Sequence, residues 1–358
     1  MTAEKIKKIL GCDHLQQLSK YIVSNAPGTT FGGSSHYRCH VDDVSFFVKL
    51  VPYNMYATDR WTLPRAPALL TVDAEIYIMR AIKTRIIDAG YSPHFPELLA
   101  VVKCEGIARL IEDKERCRQQ QLLRVPADPY IQSTLCNFEQ FARIGTMRDK
   151  IAITFSEYCD MGLVPYVQRF SPIYLWDRER MLISIAFQVY YSLVVATRVW
   201  KTFRHGDLAE HNIMMKIGSD KSVPSTGKYL QYRINGRTFN VPFFGAYLKI
   251  IDFGHGQIAE EGIINSQYRV GWTPDHIFFI INYEKFIDAI HYKSDAVTEM
   301  FKYLNPMRLA SGIHRLHLIS QADTFCAPEA AFEGSIFSAF ETRVRDEDII
   351  GKYTAPRR

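Results

Sequence analysis

The stretch "HGDLAEHNIMM", residues 205–215, decides how the rest of the chain is interpreted. It places a histidine, an acid and an amide just ahead of a short apolar run. A second stretch, "IIDFG", residues 250–254, puts another acid at the end of an apolar run. Carboxylate and amide oxygens are the ligands that hard cations prefer. Asp207, Asn212 and Asp252 are therefore candidate site residues, each next to a short predicted strand.

The composition is that of a globular protein of enzyme size. The chain has 358 residues, of which 47% are hydrophobic and 23% are charged. That length is enough for two domains or for one large bilobal domain. A net charge of +5 suits an anionic ligand such as a nucleotide, but it is too small to argue for nucleic-acid binding. We therefore expect no nucleic-acid partner.

The cysteines and the apolar segments indicate in which cellular compartment the protein is expected. Seven cysteines are scattered without a Cys-x-x-Cys pair, so we expect reduced thiols in a cytoplasmic protein, with neither a zinc site nor a disulfide framework. The first residues, "MTAEKIKKIL", lack the apolar stretch of a signal peptide. Gln188 and Arg198 interrupt the apolar segment 181–200. That segment is therefore predicted to be a buried core helix, and no transmembrane segment is expected.

Hydrophobic periodicity predicts a β-rich first half and a mainly helical second half. Residues 5–25 and 71–89 have helical spacing, whereas "VSFFVKLV", 44–51, has the character of a strand. The long polar stretch 105–149 predicts an irregular or helical excursion. This order indicates two lobes joined near 157–162.

Two further residues complete a set suited to phosphoryl transfer. Lys49 lies on an otherwise apolar strand, and a buried lysine requires an anionic partner. Glu75, inside the helix predicted at 71–89, is the natural partner. Phosphoryl transfer needs a cation on the phosphates, an acid that holds it, oxygen ligands for Mg²⁺ and a carboxylate that orients the attacking hydroxyl. Each residue alone has an ordinary structural explanation, and only their conjunction in this order indicates the chemistry.

In this order the residues resemble the protein-kinase superfamily, whose catalytic loop reads His-Arg-Asp-x4-Asn and is followed by Asp-Phe-Gly. The resemblance covers about residues 26–290. It implies that Lys49 and Glu75 are the phosphate-binding pair and that Asp207 is the catalytic aspartate. It also implies that ATP is the phosphoryl donor.

The same resemblance assigns the metal and adenine contacts. Asn212 and Asp252 match the Mg²⁺ ligands. "FSEYCDMG", 155–162, is similar to the hinge, where Glu157 and Cys159 would face adenine through their backbone. Three glycines would form the phosphate loop: Gly28, Gly32 and Gly33. Asp275 matches the acid that opens the large central helix of the C-lobe.

Within the superfamily, the chain is similar to the serine/threonine kinases of large nucleocytoplasmic DNA viruses, of poxvirus and iridovirus type. The stretches that carry this are "SPHFPELL", "HGDLAEHNIM" and "YRINGRTFNVPFFGAYLKIIDFG". This placement implies a viral protein that acts in the host cytoplasm, or in the virion.

Several positions depart from the family pattern. The glycines give G-x3-G-G, so the register of the loop is open. Gly206 replaces the arginine before the catalytic aspartate, so activity is expected not to require phosphorylation of the activation loop. Ala209 stands where serine/threonine kinases have a phosphate-binding lysine, and His211 is the nearby basic residue. No Ala-Pro-Glu lies in the roughly twenty residues between Asp-Phe-Gly and Asp275.

Two alternatives remain beside a protein kinase. His-Gly-Asp also occurs in small-molecule kinases of the aminoglycoside and choline type, although these usually lack Phe-Gly after the second metal aspartate. A nucleotide-binding pseudokinase scaffold is the other alternative, against which the intact catalytic positions argue. His205 is expected in the core, with its ring bonded to backbone near Asp252.

A β-hairpin is predicted between the strands "NIMMKI" and "LKIID". Asn235-Gly236 is a strong signal for a type I′ turn, because both residues tolerate positive φ. Pro242 should end the second strand, since it has no N–H for the ladder. The aromatic residues of this segment are expected to pack on the lobe near the hinge side or to cover a partner surface: Tyr229, Tyr232, Phe239, Phe243 and Phe244.

The sequence thus predicts an α+β, bilobal protein-kinase-like fold. Its parts are an N-terminal helical extension (1–25), an N-lobe (26–158) and a C-lobe (159–358) that carries the hairpin near 229–242. The predicted activity is transfer of the γ-phosphoryl group of Mg-ATP to serine or threonine hydroxyls of a protein substrate. Oligomeric state and the identity of the substrate are left open.

Overall fold

The computed structural model describes residues 6, 11–25, 34–42, 44–54, 71–123, 131–169, 175–218, 227–264, 274–305 and 328–357. They form two compact units. The first unit holds the described residues up to Met79 together with Glu97–Tyr158. The second unit holds Arg80–Pro96 and the described residues from Cys159 onward.

The first unit is built on a five-stranded antiparallel sheet in the order β1-β2-β3-β5-β4. Its strands are β1 (Ile22–Asn25), β2 (Ser35–Val41), β3 (Val44–Asn54), β4 (Leu98–Glu105) and β5 (Met147–Glu157). Helix α1 (Thr71–Ile82) begins in this unit, and α2 (Lys114–Leu123) and α3 (Ile131–Arg143) lie within the stretch predicted as an excursion.

The helical extension expected over 1–25 is wrong at its end. A 3₁₀ helix covers Cys12–Tyr21, and Ile22–Asn25 form β1, which pairs with β2. The β-branched residues Ile22 and Val23 favour an extended strand over a helix. Residues 22–25 therefore extend because they can pair with the edge of β2. The spacing of apolar residues along the sequence does not show that this edge is available.

Strand β3 sends alternate side chains to opposite faces of the sheet, and helices pack on both faces. Phe46, Val48 and Leu50 are fully buried in a cluster with α3 and the 3₁₀ helix. On the other face, Tyr53 and the half-buried Val51 pack with residues of α1. The helices inserted between β4 and β5 therefore cover the face that α1 leaves open.

The second unit is mainly helical, with short sheets in the orders β11-β8-β6, β10-β9-β13 and β12-β7. Its helices are α4 (Leu163–Arg169), α5 (Leu175–Val199), α6 (Asp275–Ala289) and α7 (Asp295–Leu304). Its strands are β6 (Met161–Gly162), β7 (Phe203–Arg204), β8 (Ile213–Ile217), β9 (Tyr229–Ile234), β10 (Arg237–Pro242), β11 (Ala246–Ile250), β12 (Gln257–Ile258) and β13 (Ile349–Thr354).

Helix α5 is the central helix of this unit. Over Asp177–Val199 it is long and apolar enough to cross a membrane, yet 78% of its most apolar 18-residue stretch is buried inside the structure. Apolar residues on every side of a helix are typical of a core helix that other elements surround. The prediction of a buried core helix is therefore confirmed.

The predicted hairpin is present. Strands β9 and β10 pair antiparallel around Asn235 (φ 51°) and Gly236 (φ 78°), and Pro242 is the last paired residue of β10. Two of its aromatic residues lie deeper than a surface contact: Tyr232 and Phe239 are fully buried and pack against Phe187 of α5. Strand β13 adds to β9 in parallel, so the hairpin belongs to the core of the second unit. Residues 219–226, before it, lie outside the described part.

The expectation of unpaired thiols is also wrong. Disulfides join Cys12 to Cys104 and Cys117 to Cys136, across Cα–Cα distances of 5.5 and 5.3 Å. The first joins the 3₁₀ helix to β4, and the second joins α2 to α3. Folding thus brings together cysteines whose sequence spacing has no recognisable pattern. Cys39 is a buried free thiol, and burial raises its pKa to about 12.

Candidate functional site

An ion pair joins β3 to α1 in the first unit. The Lys49 Nζ lies 2.8 Å from Oε1 and 3.0 Å from Oε2 of Glu75. The two side chains are only 13% and 9% exposed, so the pair is largely shielded from water, and removal of one partner would leave a buried charge. Strand alternation places Lys49 on the sheet face that α1 covers. The sequence prediction that these two residues meet is confirmed.

The chain passes from the first unit to the second between Tyr158 and Cys159. Just before this point, the Glu157 N–H donates to the Glu97 carbonyl at 2.8 Å, and the Glu97 N–H donates to the Glu157 carboxylate at 3.2 Å. Just after it, the Asp160 carboxylate accepts the Ile217 N–H at 2.8 Å. Hydrogen bonds therefore fix the backbone on both sides of the junction. The predicted loop glycines Gly28, Gly32 and Gly33 lie outside the described residues.

In the second unit, Asp275 holds the start of the loop at 205–212. It is the first residue of α6, and its carboxylate oxygens accept the N–H groups of His205 at 2.7 Å and of Gly206 at 2.9 Å. A carboxylate that accepts two backbone N–H groups fixes their direction. The acid expected to open a long helix of this unit is thus in place, and it positions the residues just before Asp207.

His205 is a core residue, as predicted. It is fully buried, its Nε2 lies 2.8 Å from the Ile251 carbonyl, and its Nδ1 lies 3.3 Å from the Asp207 backbone nitrogen. A carbonyl accepts and a backbone N–H donates, so the proton is on Nε2 and Nδ1 is the acceptor. The ring thereby joins the loop before β8 to the end of β11.

Asp207 and Asn212 are hydrogen-bonded to each other within that loop. The Asn212 amide nitrogen donates to the Asp207 carbonyl at 2.7 Å and to its carboxylate at 3.2 Å. The side-chain nitrogen of Asn212 is thus occupied by hydrogen bonds to Asp207, and the side-chain oxygen is the atom that can bind a cation. Asp207 remains 35% exposed, with the exposed His211 ring 3.8 Å from its carboxylate. The carboxylate is therefore held in place but open to a substrate.

The strand register brings Asp252 next to Asn212. Strands β8 and β11 pair antiparallel with Ile213 opposite Ile250, and the Ile251 N–H donates to the Asn212 carbonyl at 3.0 Å. Asn212 precedes one strand and Asp252 follows the other, so the two residues lie at the same end of the pair. Asp252 has φ 63°, and its carboxylate accepts the Gly254 N–H. A left-handed conformation in a residue other than glycine costs energy and concentrates at functional sites.

Glycine at position 206 has a steric cause. Gly206 has φ +81°, and a Cβ built there would lie 2.4 Å from the His255 carbonyl oxygen. The sequence shows only that an arginine is missing from the family pattern. The structure shows that, with this backbone, any side chain at 206 would collide with the segment after Asp252.

His94, in "SPHFPELL", is a further residue that supports the site, and no pattern in the sequence indicates this role. Its Nδ1 donates to the Leu248 carbonyl at 3.0 Å, its Nε2 accepts the Tyr232 hydroxyl at 2.7 Å, and its own carbonyl accepts the Ile250 N–H at 2.8 Å. Burial lowers the pKa of His94 to about 3. A neutral histidine therefore braces β11, the strand that leads into Asp252.

Comparison with known proteins gives distant relatives. No family model matches the chain. Two candidate serine/threonine-protein kinases of Acanthamoeba polyphaga mimivirus are each 25% identical to it, over 268 residues (70% of this chain) and over 131 residues (36% of this chain). The chain spans 64% of the length of the first and 27% of the second.

Solved structures with similar folds are more remote still. WaaP in complex with acyl carrier protein has 10% identity and a TM-score of 0.37, over 95% of each chain. A solved kinase domain has 15% identity and a TM-score of 0.35, over 71% of this chain and 55% of its own. At these TM-scores the likenesses carry no argument.

The chain resembles the protein-kinase superfamily, and within it the kinases of large DNA viruses. It has an α+β fold, with the β-rich unit first and the mainly helical unit after it. The first unit contains the pair Lys49 and Glu75. The second unit contains Asp207, Asn212 and Asp252.

Proposed function

We propose that this protein is an ATP-dependent protein kinase that transfers the γ-phosphoryl group of Mg-ATP to serine or threonine hydroxyls of proteins. The observation that carries the proposal is the loop of the second unit, where Asp207 is hydrogen-bonded to Asn212 and the strand register sets Asp252 beside them. Phosphoryl transfer depends on such positioning of charges more than on covalent chemistry. The mimivirus relatives support the same class of activity.

The first unit supplies the phosphate-binding cation. Glu75 holds Lys49 through both carboxylate oxygens. These contacts fix the direction of the ammonium group and compensate for its removal from water. A lysine oriented in this way can donate to the α- and β-phosphates without first losing side-chain freedom. Glu75 is therefore a positioning residue, whereas Lys49 would touch the nucleotide.

The second unit supplies the oxygen ligands for Mg²⁺. Asn212 offers its amide oxygen because its nitrogen is bound to Asp207, and Asp252 offers a carboxylate. Carboxylate and amide oxygens, with water and phosphate oxygens in the remaining positions, form the usual shell of this ion. When bound, Mg²⁺ would neutralise charge on the phosphates.

Asp207 would orient the attacking hydroxyl. Its carboxylate is partly exposed, while Asn212 and the backbone bond from Asp207 N–H to His205 hold it in place. An ionised carboxylate in this position accepts the hydrogen bond of a serine or threonine hydroxyl and aims the oxygen at the phosphorus. Neither lysine nor arginine is present at 209 or 211, so recognition of the protein substrate would come from other residues.

The test is incubation of the purified full chain with Mg²⁺, γ-labelled ATP and a general protein acceptor, followed by typing of the phosphoamino acid. We expect phosphoserine and phosphothreonine with the wild type and background label with Asp207→Asn. A parallel reaction with aminoglycoside and choline acceptors tests the small-molecule alternative. Label on these acceptors alone, or on none at all, would overturn the proposal.

We also propose that the protein acts in the cytoplasm of a host cell. Disulfides are uncommon in that compartment, so the pairs Cys12–Cys104 and Cys117–Cys136 make the proposal sharply testable. Cells expressing the protein are treated with a thiol-alkylating reagent before lysis, and the four cysteines are examined by mass spectrometry. The protein should be recovered in the cytosolic fraction, where the alkylation pattern reports whether the two disulfides form in that compartment, whereas recovery with the secretory pathway would refute the location.

A further inference from the structure

In the second unit, the turn that follows β12 is joined to the turn that precedes β7. Residues Ala259–Glu261 form a 3₁₀ turn directly after β12. The Glu260 carboxylate accepts the Lys201 N–H at 3.0 Å and the Thr202 N–H at 3.3 Å. The Thr202 hydroxyl donates to the same carboxylate at 3.3 Å and accepts the Glu260 N–H at 3.2 Å. Hydrogen bonds of both side chain and backbone therefore hold the two turns together.

Glu261 joins the same two turns through a buried ring. Its carboxylate accepts the indole N–H of Trp200, which is only 3% exposed. The Arg85 guanidinium lies 3.6 Å from this carboxylate and 6.0 Å from the centre of the Trp200 ring. Loss of the acceptor of a buried donor is costly, whereas an exposed ion pair contributes little. The bond from Trp200 is therefore the main contact of Glu261. We call Glu260 and Glu261 the acidic clamp.

The strands beside the acidic clamp are too short to be stable by themselves. Phe203 and Arg204 of β7 pair with Ile258 and Gln257 of β12, and the ladder has no further residues. Even a longer isolated pair of strands is only marginally stable in water. Ile263 exchanges two backbone hydrogen bonds with Ile258, but these close the loop after β12 on itself and do not reach β7. The pairing of β7 with β12 therefore depends on burial of its apolar side chains and on the acidic clamp.

Both strands of this pair lead to residues of the site. Strand β7 runs directly into the loop that contains Asp207, and β12 follows shortly after Asp252. Between them, Gly206 lies so close to the His255 carbonyl that no side chain fits at position 206. A shift of β12 relative to β7 would therefore move the His255 backbone against Gly206. Such a shift would displace Asp207, which is the next residue.

We propose that Glu260 and Glu261 are positioning residues that hold the segment after Asp252 in its working arrangement without a phosphate group. The inference rests on the proposed function and deepens it by naming the residues that replace a regulatory modification. Gly206 leaves no arginine at that position to bind a phosphate. The acidic clamp binds backbone N–H groups, a hydroxyl and an indole instead, and these donors are always present. Activity should therefore depend on the two carboxylates.

The test combines hydrogen exchange, read by mass spectrometry, with steady-state kinetics, both on the phosphatase-treated full chain. In Glu260→Ala and Glu261→Ala, the amides of residues 255–263 should exchange about tenfold faster, because each variant loses hydrogen bonds that keep this segment closed. The kcat should fall about tenfold or more, since a small displacement of a reacting group lowers the rate steeply. The KM for Mg·ATP should change less than kcat. Glu261→Gln, which keeps an acceptor oxygen for Trp200, should retain most of the wild-type kcat.

The matched control is Glu299→Ala, which removes an exposed acid paired with Lys302 on α7 of the same unit. It should change neither the exchange of residues 255–263 nor kcat. If Glu260→Ala does not fold, Thr202→Val takes its place, because it removes the hydroxyl that bonds to Glu260 and keeps the size of the side chain.

The outcomes separate this inference from the proposed function. Unchanged exchange of residues 255–263 in the variants of the acidic clamp would overturn the inference and leave the proposed function standing. Faster exchange with a wild-type kcat would overturn it as well, because the contacts would then be structural only. Absence of phosphoryl transfer in the wild type would overturn the proposed function, and the exchange rates would still decide whether the acidic clamp holds the segment.

Discussion

Replacement of Gly206 by alanine should destabilise the second unit far more than the same change at a glycine with the same backbone conformation. Gly206 has φ +81°, and Gly236, in the hairpin turn, has φ +78°. Both changes incur the cost of a left-handed conformation, about 1 kcal/mol or somewhat more. A Cβ at 236 would meet no atom within 4 Å, whereas a Cβ at 206 would lie 2.4 Å from the His255 carbonyl oxygen.

The magnitude follows from this difference. Relief of such an overlap requires a backbone shift, and overpacking of this kind costs about 1–3 kcal/mol. We therefore expect Gly236→Ala to lose about 1 kcal/mol and Gly206→Ala to lose about 3 kcal/mol in the free energy of unfolding. For a unit of this size, 3 kcal/mol corresponds to a fall in Tm of about 6–12 °C.

Differential scanning calorimetry of the two variants and the wild type measures both losses under one set of conditions. Phosphoryl transfer should fall in Gly206→Ala even at temperatures where the variant is folded, because His205 and Asp207 flank the shifted residue. It should be unchanged in Gly236→Ala. Equal shifts in Tm for the two variants would refute the close approach of the 206 and 255 backbones.

Four further predictions concern the site and its support. Lys49→Met should abolish phosphoryl transfer and leave the fold intact, whereas Lys103→Met, which breaks the more exposed pair with an aspartate of α1 at 2.6 Å, should retain it; full turnover in the first variant at saturating ATP would contradict the assignment. Asp252→Asn should weaken Mg·ATP binding in thermal-shift titrations, while Asp207→Asn should spare binding and lower kcat; an equal loss of binding would contradict these separate roles. Phosphatase-treated enzyme should show the same initial rate as untreated enzyme, and a lag that pre-incubation with ATP removes would count against this. For His94, burial lowers the pKa from 6.5 to about 3. Between these values the unfolded chain binds a proton that the folded chain does not, so the free energy of unfolding falls as the pH falls. Urea unfolding at pH 7 and pH 5 should show the wild type losing about 2 kcal/mol relative to His94→Gln, and parallel pH profiles of the two proteins would refute this.

The parts of the site that the sequence predicts are those encoded by local pattern. The pairing of Lys49 with Glu75 follows from a charged residue on an apolar strand and an acid on the next helix. The loop at 205–212 and the turn at Asn235-Gly236 carry their own conformational signals within a few residues. Such signals survive folding because the local preference and the global fold agree at these positions.

The parts that the sequence did not predict depend on partners far along the chain. Strand β1 forms because β2 offers an edge, and β13 pairs with β9 more than a hundred residues before it. The disulfide between Cys12 and Cys104 spans 92 residues. Likewise, the crowding of Gly206 by His255 is invisible until β7 and β12 are paired. None of these contacts leaves a periodicity or a motif in the sequence.

The sheet covered on both faces has a consequence for how this strand can evolve. In a sheet with one wet face, every second residue is nearly free to vary. In β3, Phe46, Val48 and Leu50 fill the core on the side of α3, while Phe47 and Lys49 stand on the side of α1. The residues on both faces of the strand are therefore constrained, and consecutive positions should tolerate few substitutions. Residues 46–50 thus combine a constraint from packing on one face with a constraint from chemistry, through Lys49, on the other.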